Sequence, residues 1–342
     1  MRSWRRRHTS FHPDGSLSRW GWASLLTIPV SLACGLIGCA TPGSIWVVNV
    51  PVADLRAQPN SLATPLLHDP LEESQVLYGE RVRVISMQET WAFVEAIEQP
   101  ERTHGNRWQG YPGWIPRNLL TRPQRPGRPN AIVTAKWTTV WKDPQGETPW
   151  FHLPMGAKVR VTDTAGNFWR VRLLNETSAW ITRGEARFAR ELDGCSTAEK
   201  RRFILRAAEE LLGDPYYWGG RSPFGGSSGS PPTGVDCSGL VNLAYRTVGI
   251  DLPRDAHEQY LRARKTRRLE PGDLVFLSEP DHPRQIVHVM LYAGDGWLLE
   301  GPGTGQAIRR ISVVERLGRP LDQLKPGDRV GRQRIVFGAY LP

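Results

Sequence analysis

Val235-Asp236-Cys237-Ser238-Gly239-Leu240-Val241 is the stretch on which the reading of this chain turns. It puts one cysteine at the head of an apolar run, directly after a loop rich in Gly, Ser and Pro. Leu240, Val241, Leu243, Ala244 and Val248 recur at helical spacing, which predicts Cys237 on the first turn of a helix. The unpaired N–H groups and the dipole of that turn favour a thiolate, and Asp236 suits the N-cap. A lone cysteine is most often a small buried hydrophobe, so a nucleophilic reading needs a partner.

His288 is the candidate. It lies in Ile286-Val287-His288-Val289-Met290-Leu291-Tyr292, which reads as a buried strand. Ala293-Gly294-Asp295-Gly296 reads as a turn and Trp297-Leu298-Leu299-Glu300 as the returning strand. With Tyr292 and Trp297 flanking the turn, Glu300 falls opposite or diagonal to His288, within reach of one imidazole N–H. A strand histidine alone is most often a satisfied core residue, but Cys237, His288 and Glu300 together make a nucleophile, a base and an orienter.

Several motifs follow one another in order. They are Gly213-Asp214-Pro215-Tyr216-Tyr217-Trp218-Gly219-Gly220, the Cys237 stretch, Leu252-Pro253-Arg254-Asp255-Ala256-His257-Glu258-Gln259, Pro271-Gly272-Asp273-Leu274-Val275-Phe276, and His288 through Tyr292. In this order they resemble the NlpC-type cell-wall cysteine peptidases, a papain-like family that hydrolyses peptidoglycan stem peptides, over residues 197–342. The resemblance implies that Cys237 is the nucleophile, His288 the base and Tyr216 the active-site tyrosine. It implies that Asp236 and Ser238 bind the free amine of L-Ala-γ-D-Glu, although Asp236 could serve only as the N-cap. Two departures stand out: the third polar position, usually histidine in the family, is Glu300, and the loop from Pro223 to Val235 is long, which bears on cleft access.

The chain has 342 residues, 39% of them hydrophobic, with 14 Trp, enough for two or three small domains. A net charge of +10 points to a polyanionic neighbour. The arginines are scattered and no basic helix or RNA-binding motif is visible, so a cell wall or anionic lipid surface is expected and nucleic acid is not. Arg2, Arg5, Arg6 and Arg7 begin the chain, an apolar segment runs from about Trp22 to Gly38, and Leu36-Ile37-Gly38-Cys39 closes it. This resembles a bacterial lipoprotein signal over residues 1–38, with Cys39 as the lipidated residue of an outer-membrane, periplasm-facing protein. A single transmembrane anchor is the alternative, though the segment is short against the ~20 residues of a span. Of four cysteines, Cys34 would leave with the signal and Cys39 would carry lipid. Cys195 is then read as a structural or exposed thiol, since pairing it with Cys237 would abolish the nucleophile.

Residues 44–121 and 130–186 each carry short β-like runs in one scheme: a turn glycine (Gly79, Gly156), a period-two strand, an aromatic-led strand and a closing Trp-Ile pair (Trp114-Ile115, Trp180-Ile181). Both units resemble bacterial SH3-like domains, and Trp91, Trp114, Trp169 and Trp180 are expected in their barrel cores. In relatives that trim short muropeptides, a tyrosine and a glutamate of the first such domain wall off the cleft; Tyr111 matches the tyrosine and Glu73 is the candidate glutamate. Residues 187–195 read as a linker, and Ser196 with Glu199 as a capping box opening a helix through Leu212.

The expected architecture is an α+β papain-like domain, an antiparallel sheet with helices on one side, preceded by two small all-β barrels. The expected activity is a monomeric peptidase cutting the bond between γ-D-Glu and the next diamino acid, with no cofactor and, from the spacing of His257, His282 and His288, no metal. The alternatives are a non-catalytic wall-binding lipoprotein and a papain-like amidase or acyltransferase acting on another substrate.

Overall fold

Two stretches of alternating sequence build two sheets with one strand order. The first comprises β1 (Ile45–Val48), β2 (Val52–Arg56), β3 (Glu72–Leu77), β4 (Arg81–Gln88), β5 (Trp91–Glu101), β6 (Gln109–Pro116) and β7 (Leu120–Thr121). The second comprises β8 (Ala131–Val133), β9 (Trp137–Trp141), β10 (Pro149–Pro154), β11 (Lys158–Ala165), β12 (Phe168–Arg172), β13 (Ser178–Thr182) and β14 (Ala186–Phe188). The orders are β3-β2-β6-β5-β4-β1-β7 and β10-β9-β13-β12-β11-β8-β14. Each strand of the first has its counterpart, in sequence and in place, in the second. The computed structural model describes residues 42–60, 68–123, 128–225 and 234–342. The signal segment, Cys39 and residues 226–233 of the long loop lie outside them.

Closed barrels were expected, and among the described residues neither hydrogen-bonding path closes. The outer edge of β3 is taken up by the C-terminal part of the chain, where the Arg221 N–H donates to Gln75 Oε1 at 3.1 Å. The tryptophans also differ from expectation: Trp169 is buried, whereas Trp91, Trp114 and Trp180 are only half-buried. The alternation explains this. Ala92, Val94, Ile115, Ala179 and Ile181 take the inward positions, so the tryptophans beside them face outward. There they are covered across the strands, Trp114 by Phe93 (ring centroids 5.2 Å apart) and Trp180 by Arg170.

Gly79 and Gly156, the equivalent turns before β4 and β11, both have φ near +80°. Each also brings its backbone against the next part of the chain. A Cβ on Gly79 would sit 2.4 Å from the Lys158 carbonyl oxygen, and one on Gly156 would sit 2.9 Å from Leu243 Cδ1.

The remainder contains α1 (Ala189–Gly194), α2 (Thr197–Glu209), β15 (Arg221–Ser222), β16 (Gly234–Val235), α3 (Cys237–Arg246), α4 (Ala256–Arg262), β17 (Arg264–Lys265), β18 (Leu274–Ser278), β19 (Ile286–Gly294), β20 (Trp297–Glu300), β21 (Arg309–Ser312), α5 (Val313–Leu317), β22 (Arg329–Val330) and β23 (Gln333–Ala339). The main sheet runs β17-β23-β18-β19-β20-β21. Residues read as a linker instead complete β14 and form α1. Ser196 and Glu199 form the capping box, and α2 packs on α3 through Ile204, Ala207, Ala208 and Leu211. Helices α3 and α4 lie on β19. The sheet is apolar on both faces: Leu274, Phe276 and Leu299 join the helix-side core, while Val275, Met290 and Leu298 join a second core that α5 covers with Val313 and Leu317. One-sided helices would have left that second face wet. No helix among the described residues is long and apolar enough to cross a membrane.

A buried charge cluster joins the three parts. Arg221 and Arg246, both fully buried, reach Glu80 of the first unit at 2.6 and 3.2 Å. Arg246 also meets Glu98 at 2.9 Å and Asp251 at 2.5 Å, and donates to the Gly156 carbonyl at 2.8 Å. Lys158 of the second unit closes the circuit on Glu98 (2.8 Å) and Asp251 (3.3 Å). Burial acts to raise the Glu98 pKa, but Arg246 and Lys158 outweigh it and hold the carboxyl well below the usual range.

Candidate active site

Cys237 is the first residue of α3, and Asp236 is its N-cap, accepting from the Gly239 N–H at 2.6 Å. The small Gly239 lets the helix start close against the Gly220 carbonyl, where a Cβ would sit 2.2 Å from the oxygen. Tyr216 reaches the site by a bridge to Val235, two residues before the cysteine. It is buried, and burial, with the charges of Asp236 and Cys237 beside it, pushes its phenol pKa up.

His288 lies on β19 opposite Leu277 of β18. Leu299 pairs with Leu291, which sets Glu300 diagonal to His288. His288 Nε2 stands 3.0 Å from Glu300 Oε2, and the ring also interacts with Cys237. Burial acts to lower the histidine pKa, yet the hydrogen bonds and charges of Cys237 and Glu300 overcome it and lift the pKa to about 9. The imidazolium is therefore the favoured form at neutral pH.

Glu300 is fully buried, and all its acceptor sites are filled. Oε1 takes Arg309 Nε at 3.0 Å and Nη2 at 2.7 Å; Oε2 takes Arg316 Nε at 2.8 Å beside the histidine. Burial alone would raise its pKa, and these donors bring it down to about 2. Neither arginine stood out in the sequence. Arg309 faces Glu300 across the β20–β21 pair, so a cross-strand opposite-charge rule could have found it.

The binding residues are arranged differently from what the resemblance implied. Both Asp236 oxygens are engaged, Oδ1 by Gly239 N, Ser238 Oγ and Arg254 Nη1, and Oδ2 by Gly219 N at 3.2 Å and Arg254 Nη2 at 2.8 Å. Ser238 Oγ also accepts from Arg254 Nη1 at 3.0 Å. The buried Arg254 guanidinium thus sits where an ammonium would have to approach Asp236. Tyr111 and Glu73 do meet: the phenol lies 3.4 Å from Glu73 Oε2 and 3.3 Å from Asp255 Oδ2. The Glu73 and Asp255 side chains keep 30% and 39% of their surface, so they retain free acceptor capacity. His104 edges onto Tyr111, with ring centroids 5.2 Å apart. The segment carrying it, residues 99–107, meets the C-terminal part through Thr103 on Glu258 and the Pro100 carbonyl, which accepts from the Arg254 N–H.

A thiol beside an imidazole that a carboxylate holds is an arrangement able to support nucleophilic catalysis. Residues 213–319 match the NlpC/P60 family, and this C-terminal part of the chain is an NlpC/P60 domain. The chain is 28% identical over 248 residues to the gamma-D-glutamyl-L-lysine dipeptidyl-peptidase of Bacillus cereus, covering 71% of this chain and 70% of that one. It is 36% identical over 117 residues to the peptidoglycan endopeptidase RipA of Mycobacterium tuberculosis, covering 32% of this chain and 24% of that one. Among solved structures, an NlpC/P60 family protein from Bacillus cereus superposes with a TM-score of 0.66 at 23% identity, over 87% of this chain and all of that one, a likeness of fold.

Proposed function

We propose that this chain is a cysteine peptidase of peptidoglycan stem peptides, cutting after γ-D-Glu when the L-Ala amine before it is free. The hydrogen-bonded line of Cys237, His288 and Glu300 carries the reading. His288 carries the proton at rest, and the Cys237 sulfur attacks the γ-carbonyl carbon as the thiolate. The oxyanion is met by the Cys237 N–H at the helix start, a donor without an intrahelical partner. Collapse expels the amine with the proton from His288 and leaves a thioester. Water, deprotonated by His288, then releases the γ-D-Glu acid and restores the resting pair of thiolate and imidazolium.

Specificity comes from the wall of Tyr111, Glu73 and Asp255. Their exposed oxygens suit an α-ammonium, whereas those of Asp236 are already used. The two β units are read as SH3-like modules, the first of which supplies that wall. The address is part of the proposal: lipid on Cys39, facing the wall from the outer membrane.

Purified protein should cleave L-Ala-γ-D-Glu-diaminopimelate at least ~10-fold faster than the N-acetylated peptide, for the loss of one charge-assisted hydrogen bond. Mass spectrometry of the products reads the bond cut. Equal rates would make this an endopeptidase of intact wall, and turnover surviving in Cys237→Ala would end the thiol mechanism.

A further inference from the structure

The carboxylate at the third position does not act alone. We propose that Arg309 and Arg316 are positioning residues for the hydrolysis: they fill three of the four acceptor sites of Glu300, leave the fourth aimed at His288 Nε2, and more than offset the charge that a carboxylate brings. This rests on the thiol-hydrolase reading of the same site.

The geometry is specific. Arg309 grips Oε1 with two donors, and Arg316 holds the second lone pair of Oε2, 2.8 Å away. A syn or anti swing of the carboxylate would break at least one of these bonds, so the histidine finds its acceptor in one place. The guanidinium groups come from separate elements, Arg309 from β21 and Arg316 from α5. Their neighbours in sequence do other things: Arg310 turns to the opposite face and stacks on Trp297 at 5.0 Å.

The charged and titratable groups around His288 are Cys237 on α3, with Tyr216 and Asp236 beside it, Glu300 on β20, and behind Glu300 the two arginines. Glu300 favours the imidazolium, and the arginines temper that pull. Loss of Glu300 alone then leaves two cations facing the histidine with no anion between them. The arrangement works as a set of three residues.

The test is a rescue. The rate of Cys237 alkylation by iodoacetamide, which needs no peptide, is measured at about pH 7 in the full chain with Glu300→Gln, Arg316→Gln and both together. In Glu300→Gln the unpaired guanidinium groups repel the imidazolium and alkylation should fall about tenfold or more. Adding Arg316→Gln removes one repelling charge and should restore the rate at least threefold, which a merely structural arginine could not do. Arg316→Gln alone should move the alkaline limb of kcat/KM up by about half to one pH unit, because Glu300, still held by Arg309, pulls harder on the His288 proton. The double variant alkylating no faster than Glu300→Gln would overturn the proposal. Arg309→Gln, at a residue with 42% of its side chain exposed on the terminal strand, repeats the rescue should Arg316→Gln fold poorly. If the rescue appears but no stem peptide is cut, the proposed substrate fails and the arginine role stands.

Discussion

At the scale of single residues, Asp255 sets a pH dependence that separates binding from chemistry. The Asp255 side chain keeps 39% of its surface, yet the protein packed around it, with Glu258 and Asp236, raises its carboxyl pKa to about 7 against the opposing pull of Arg254. Below that pH the carboxyl is protonated and cannot face an ammonium as an anion. The preference for a free over an acetylated amine should shrink as pH falls from about 8 to about 6, and Asp255→Asn should flatten that dependence. KM for the free peptide reads it; an unchanged ratio across this range would take Asp255 out of the amine site. The placement of the proposed catalytic residues was legible because each is announced locally: a helical run opening on Cys237, and a two-strand hairpin that sets Glu300 diagonal to His288. The partners of those residues were not. Arg309 and Arg316 are two cations among 44 Lys and Arg, and Arg254 reaches Asp236 from 18 positions away. Only the fold shows which arginine goes to which carboxylate.

At the scale of elements, the start of α3 depends on the return from β20. A Cβ on Gly301 would lie 3.2 Å from Tyr216 Cδ2, 3.3 Å from the Cys237 nitrogen and 3.0 Å from Ile308 Cδ1. Gly301→Ala should therefore crowd the N–H that meets the oxyanion and lower kcat roughly tenfold, less than outright removal of such a donor. Alkylation of Cys237, which forms no oxyanion, should stay near the wild-type rate, and an equal loss in both assays would point to a displaced helix. The elements themselves were readable wherever one period ran without interruption, as in α2, β20 and the sheet strands. Closure of the N-terminal units was not, because it depends on which strand meets β3, and Arg221 comes from another part of the chain. The tryptophans misled for a simpler reason. Size suggests burial, but parity along a strand decides it, and Ala92 and Ile115 hold the inward places.

At the scale of the molecule, the wall and the nucleophile belong to different units and are held by the cluster around Arg246. Arg246→Met would leave Glu80, Glu98 and Asp251 without their shared cation and should destabilise the fold by about 3–5 kcal/mol, read from urea unfolding. Below the ordinary carboxylate range, Glu98 takes up a proton and its share of that stability is lost; above it the share is fully present. Near the melting point of this variant, selectivity for the free amine should weaken before Cys237 alkylation does, because the first depends on register between units and the second lies within one. If the two decline together, the cluster serves stability alone.

The repeated strand order has one more consequence. Two copies of one topology follow each other in the chain: the first supplies Tyr111 and Glu73, while the second contributes Lys158 and the Gly156 carbonyl to the buried cluster and holds Phe224 of the long loop through Trp137. The cluster around Arg246 ties together the units that carry Tyr111 and Cys237, so the proposed span between them would be held at one setting. Under the proposed function such a setting would sort substrates by length: a peptide whose first residue ends at the Tyr111 wall would be gripped, and one that runs on into sugar would be excluded.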